Sequence, residues 1–160
     1  MLKSVRYPFV LYLLTLALAT TATIATAHEF KVGKIKVVHP WATPSPSGAE
    51  VGAAYLEIQN LGSKQVTFLG ASSPNAERIE IHSMTIDGGV MKMRPMPNGV
   101  KIGAHKTALL NRMGMHLMLV GIKKSLELEE MVPLTLHFKG KPDVNVEAYV
   151  ENMMPPDHHH

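Results

Sequence analysis

Residues 77–96 read ERIEIHSMTIDGGVMKMRPM, and their alternation sets the fold class. Strand side chains point to opposite faces with period two. A strand over residues 77–85 therefore puts Ile79 and Ile81 on one face and Glu80, His82 and Met84 on the other. Asp87-Gly88-Gly89 reads as a tight hairpin turn. Residues 90–96 then return, with Met91 and Met93 on a common face. Pro95 and Pro97 limit how far that return can run as a central strand.

Moving outward, the same pattern repeats. Residues 34–38, 51–59 and 65–71 precede the hairpin as strands, residues 116–121, 133–139 and 143–151 follow it, and residues 100–102 and 106–110 are candidates for two more short ones. Pro and Gly punctuate the loop TPSPSG at 43–48. Residues 122–130 read as a short helical turn or an exposed loop. Eight or nine short strands with regular turn signals indicate an all-β sandwich or barrel. The sequence shows neither an internal repeat nor a linker that would divide it into two domains.

Residues 1–27 are set apart from this pattern. Lys3 and Arg6 supply a positive start, residues 8–19 (PFVLYLLTLALA) an apolar run, and Ala25-Thr26-Ala27 a small-residue cleavage site. That is the layout of a secretory signal peptide, and the run is short for a membrane span. The expected organisation is a signal peptide at 1–27, a β-sandwich domain at 28–151 and a flexible Met/His-rich tail at 152–160. The mature protein should be exported and should not insert into the membrane. Cleavage takes two of the 16 basic residues and leaves 14 against 13 acidic, a net charge near +1. So small a total points to neither nucleic acid nor membrane as partner. With no cysteine in the chain, disulfides, thiol chemistry, Cys-ligated zinc and a Cys-ligated blue-copper site are excluded.

Residues 82–118 hold seven of the eleven methionines and three of the nine histidines. His82/Met84 and His116/Met118 are two His-x-Met pairs, with Met91 and Met93 between them. Cores use the flexible Met side chain sparingly, whereas thioethers are soft ligands for Cu(I) and imidazole binds copper readily. A soft-metal site and an ordinary apolar packing role both fit this composition.

The order His82, Met93, His116-x-Met118 resembles the signature of the periplasmic copper(I) chaperones of the PCu(A)C family. So do HPWA at 39–42, GAEVGAAYL at 48–56, HLMLVGIKKSL at 116–126 and PLTLHF at 133–138. The resemblance covers nearly the whole of residues 28–151. It implies a cupredoxin-like Greek-key β-sandwich, and one Cu(I) held at the surface by His82, Met93, His116 and Met118. It further implies a non-enzymatic, monomeric carrier. Its cargo would go to the copper A subunit of cytochrome c oxidase, alongside a Sco-type thiol protein. The gap between Met93 and His116 is one residue longer than usual for the family, and Arg112-Met113-Gly114-Met115 replaces the usual lead-in. Met84 and Met91 thus stay open as additional ligands.

Signal cleavage would make His28 the N-terminus, where an α-amine and imidazole can chelate Cu(II). His158, His159 and His160 could complete that second site, or His39 could. An alternative function follows, a copper oxidase or monooxygenase with His28 as a Cu(II) brace, although few aromatics are present to hold a polysaccharide. His39 reads as structural, His105 as a loop residue and His137 as solvent-facing. Met113 and Met115 read as hydrophobes shielding the metal, and Met131 as core or turn. No Ser/His/Asp motif, phosphate loop or carboxylate pair stands out.

Overall fold

The structure, a computed structural model, describes residues 29–152. Residues 1–27, expected to be a signal peptide, His28 and residues 153–160 of the expected tail lie outside the described residues. Eleven strands follow one another: β1 (Glu29–Val32), β2 (Ile35–Ala42), β3 (Val51–Asn60), β4 (Val66–Ser72), β5 (Ala76–Asp87), β6 (Val90–Pro95), β7 (Val100–Ile102), β8 (Thr107–Leu110), β9 (Met115–Ile122), β10 (Met131–Phe138) and β11 (Val144–Val150). The all-β expectation holds, and residues 122–130 hold no helical turn. Gly88 and Gly89 both have positive φ, the conformation of the tight hairpin turn between β5 and β6.

Ten strands lie along one hydrogen-bonded path, β6-β5-β9-β8-β3-β2-β11-β10-β4-β7, and β1 pairs with β2 from the side. The path curls so that β4 comes against β5 and β7 against β8, closing two layers around a single core. Neighbours on this path are mostly distant in sequence, as in a Greek key. Phe68 and Phe138 meet in the core at 5.4 Å between ring centroids. Val37, Ile58, Leu117, Leu119 and Leu136 are fully buried around them. Ile81 joins them with 4% of its surface exposed, so the alternation at 77–85 points inward as expected and turns His82 and Met84 to the other face.

At two places the strands depart from the pattern expected of the sequence. The short stretch EFKV at 29–32 adds an unexpected edge strand. In addition, β2 does not stop at Val38 but runs on to Ala42 across an irregularity. Val38 faces Glu57 while Trp41 faces Tyr55, so one extra residue is accommodated on β2. His39 takes it up at φ 46°, as in a β-bulge.

Candidate metal centre

Strands β5, β6 and β9 present one shared face. Directly opposite residues in antiparallel strands lie on the same side of the sheet. His82 is opposite His116 and Glu80 is opposite Met118. Met84 is opposite Met93 and Ile86 is opposite Met91. Both histidines and the four methionines of the sequence reading therefore fall on one surface of three adjacent strands. Below it, the loop between β8 and β9 is held closed by Asn111, whose N–H donates to the Met115 carbonyl at 2.7 Å and whose side chain accepts from the Met113 N–H at 3.1 Å. Beyond that closed loop His116 stands in register with His82.

The two imidazoles are sheltered, although both stand on strand faces turned away from the core. His116 keeps 5% of its surface exposed, and His82 12% of its side chain. Their ring centroids are 6.0 Å apart. Tyr55 stands 6.4 Å beyond His116, and Trp41 stacks on Tyr55 at 4.4 Å. This aromatic wall comes from β2 and β3 and covers His116 from the side. Met84 and Met118 are half-buried, whereas Met93 is 49% and Met91 63% exposed.

The Nδ1 atoms of His82 and His116 are both buried without a hydrogen-bond partner in the protein. Such an orphan costs about 1–3 kcal/mol, so each needs an explanation. A bound ion would supply one. On its other side His82 is fixed: its Nε2 lies 2.9 Å from Glu80 Oε2, and Arg78 Nε donates to Glu80 Oε1 at 2.7 Å. A carboxylate at Nε2 selects the tautomer with its proton there and a free lone pair on Nδ1. Burial holds the His116 pKa below the usual histidine value, the Gly114 backbone opposes this, and the neighbouring His82 adds to it. Burial also raises the Tyr55 hydroxyl, against the pull of the Arg112 guanidinium.

Among the described residues no three His, Asp or Glu side chains converge as a metal site. An ion between the two imidazoles would take its remaining ligands from thioethers, which selects soft cations. Met115 packs against the core, whereas Met113 is 70% exposed. His39 does serve structure, paired with Glu151 at 2.9 Å.

Sequence reading also missed a Ser-His-Asp line. Ser72 Oγ lies 2.9 Å from His137 Nε2, and His137 Nδ1 lies 3.1 Å from Asp143 Oδ1. Its members come from β4, β10 and the turn after β10, and no local motif joins them. His137 and Asp143 are 37% and 51% exposed. On this open surface water competes for every bond, unlike in an enclosed catalytic pocket.

Comparison with known proteins places these features. A family model for the LpqE-like proteins, a family of candidate lipoproteins, matches residues 35–150. Lxx21020, a candidate lipoprotein of Leifsonia xyli subsp. xyli, is 31% identical over 104 residues, which cover 65% of this chain. This chain spans 61% of the length of that relative. Among solved structures, the copper-bound PCuAC domain from PmoF2 superposes with a TM-score of 0.67 at 23% identity, over 78% of this chain and 97% of that domain. DR1885 of Deinococcus radiodurans with Cu(I) superposes with a TM-score of 0.59 at 29% identity, over 81% of this chain and 85% of its own. Apo DR1885 covers 96% of both chains, with a TM-score of 0.59 at 26% identity. The described residues share the cupredoxin-like sandwich of these domains.

Proposed function

This chain belongs to the LpqE-like family, and from that premise we propose that it is a copper carrier. It binds one Cu(I) between His82 and His116, with Met93 and Met118 as the thioether ligands and Met84 and Met91 as neighbours able to exchange with them. The observation that carries this reading is the pair of buried Nδ1 atoms without partners on strand positions that face each other. The Cu(I)-bound and copper-bound relatives support the choice of metal.

The arrangement suits loading and release. The imidazoles are sheltered and oriented, while the methionines of β6 stand open to solvent. An incoming ligand can displace an exposed thioether first and reach the ion stepwise. Thioethers carry no ionisable proton, so they neither compete with protons nor close into disulfides in an oxidising compartment. The chain works outside the cytoplasm, in the periplasm, as a monomer without catalytic activity. That location rests on the layout of residues 1–27 and on a family of candidate lipoproteins. The domain limits, residues 28–151 with a tail at 152–160, belong to the same reading. The acceptor is the copper A subunit of cytochrome c oxidase, with a Sco-type thiol protein beside it. His28 with His158, His159 and His160 forms a separate Cu(II) site.

Cu(I) titration against a chromophoric competitor, with copper-edge X-ray absorption on the loaded protein, tests this reading. One tightly held Cu(I) with mixed nitrogen and sulfur ligands is the expected result. An ion without sulfur in its shell would overturn it.

A further inference from the structure

The end of the molecule away from Trp41 and Tyr55 has a different character. In the β2–β3 ladder Ala42 and Ala54 mark the near end, and Ile35 and Asn60 the far one. Turns from four parts of the chain gather at that far end. The Leu61 N–H donates to the Lys34 carbonyl, His105 to Gly62, and Lys139 to Thr67. They bring together Lys31, Lys34, Lys64, Lys106, Lys139 and Lys141, all exposed and none in an ion pair among the described residues. Asp143 is the one acid in these turns, and it faces His137. A near-neutral sequence thus folds into a molecule with one strongly basic end. The small total hid this.

Lys34, Lys64 and Lys141 rim a cleft of about 490 Å³ whose walls include Val32, Ile35 and Val66. Its floor is rigid. Asn60, 1% exposed, shares its two Nδ2 hydrogens among the carbonyls of Lys64, Ile102 and Gly103 and accepts from the Gly62 N–H. Four polar contacts from one side chain tie the turns into a platform.

We propose that this basic end docks on anionic lipid headgroups, with the ammonium groups on phosphates and the apolar cleft receiving the upper part of an acyl chain. Protein interfaces are depleted in Lys and enriched in aromatic residues and Arg. This face is rich in Lys, and none of the turns that form it holds an Arg, Trp or Tyr. Lysines whose stems lie along apolar surface with their charge outward fit a membrane interface instead. Docking here would hold the protein at the bilayer surface by the end of the β2–β3 ladder that Ile35 and Asn60 mark. The inference does not depend on the copper reading.

Flotation of the full chain with phosphatidylcholine vesicles, with and without one-third phosphatidylglycerol, tests it. Residues 8–19 are common to every protein compared, and the neutral vesicles measure their contribution. The chain should bind the anionic vesicles more tightly, and high salt should remove the difference. K34Q/K64Q/K141Q should lose about a hundredfold in affinity for them, while K92Q/K123Q/K124Q, an equal charge change elsewhere, should lose less than about threefold. Circular dichroism confirms that both variants fold. Equal losses in the two variants, or equal binding to neutral and anionic vesicles, would refute docking at this face. So would binding to soluble polyglutamate as tight as to the anionic vesicles, since the lipid would then add nothing beyond charge.

Discussion

His82 and His116 face each other across the β5–β9 ladder, and each buries a ring nitrogen that no protein group satisfies. Two orphans placed opposite one another leave lone pairs that a shared guest would satisfy. They also set binding against the stability of the empty fold.

His116→Leu should show that opposition. Leucine fills a similar volume and removes the orphan, and replacing an unsatisfied buried polar atom by an apolar group can be neutral or stabilising. The empty variant should be as stable as the parent or more stable by about 1 kcal/mol, with tight Cu(I) binding lost. Urea titration and competitor titration read the two effects. His116→Ala should destabilise by about 2 kcal/mol because it leaves a cavity beside Tyr55. A Leu variant as unstable as the Ala variant would mean that the imidazole is bonded after all.

The pH dependence of the empty protein should follow His116. Its pKa is held down in the fold, so the unfolded chain takes up the proton first. The contribution is therefore complete above the unfolded value near ~6.5 and is lost as pH falls through it towards the folded value. The Tm should drop by a few degrees between about pH 7 and pH 5, and His116→Leu should flatten that slope. Thermal unfolding by circular dichroism decides; parallel slopes would assign the effect elsewhere.

Glu80 acts through His82. Its pKa is lowered, first by the hydrogen bond from Arg78 and then by that from His82, so it stays ionised and holds the ring with Nδ1 inward. Glu80→Ala should weaken Cu(I) binding by about tenfold or more, while His137→Ala, on another face, should leave it unchanged. Nitrogen NMR of His82 should show a mixture of tautomers in the Glu80 variant. A fixed tautomer there would remove Glu80 from the design.

Oxidation should separate ligand from bystander among the methionines. Met113 is the most exposed of those near the site and should be the first to gain oxygen under dilute peroxide, with copper affinity intact. Affinity should fall when Met93 follows. Peptide mass spectrometry against a titration gives the order, and a loss that tracks Met113 would put that residue in the site.

Much of this was legible in the sequence, for identifiable reasons. Period-two alternation put Ile79 and Ile81 inward and His82 and Met84 outward, and Asp87-Gly88-Gly89 gave the hairpin. The burial of His116 was not legible, because parity gives only the face of a strand. What covers that face, Tyr55 and Trp41, comes from about sixty and seventy-five residues away. Edge strand β1 escaped notice because it is only four residues long and mostly exposed. Phe30 alone packs against the core, and two apolar positions are too few to set a period. The basic end was invisible for a similar reason: its lysines are scattered from Lys31 to Lys141 and meet only through topology.

The extra residue taken up at His39 has an optical consequence. Before it, Ile35 and Val37 point inward; after it, Ala42 does, so the strand has changed parity and Trp41 lies outside against Tyr55. Without that single residue the indole would be buried in the core, remote from His116. Trp41 is the chain's one tryptophan, and it stands two ring contacts from the imidazole. The fold thus carries its own lamp beside the metal face, and its fluorescence should dim as Cu(I) arrives, with no label attached.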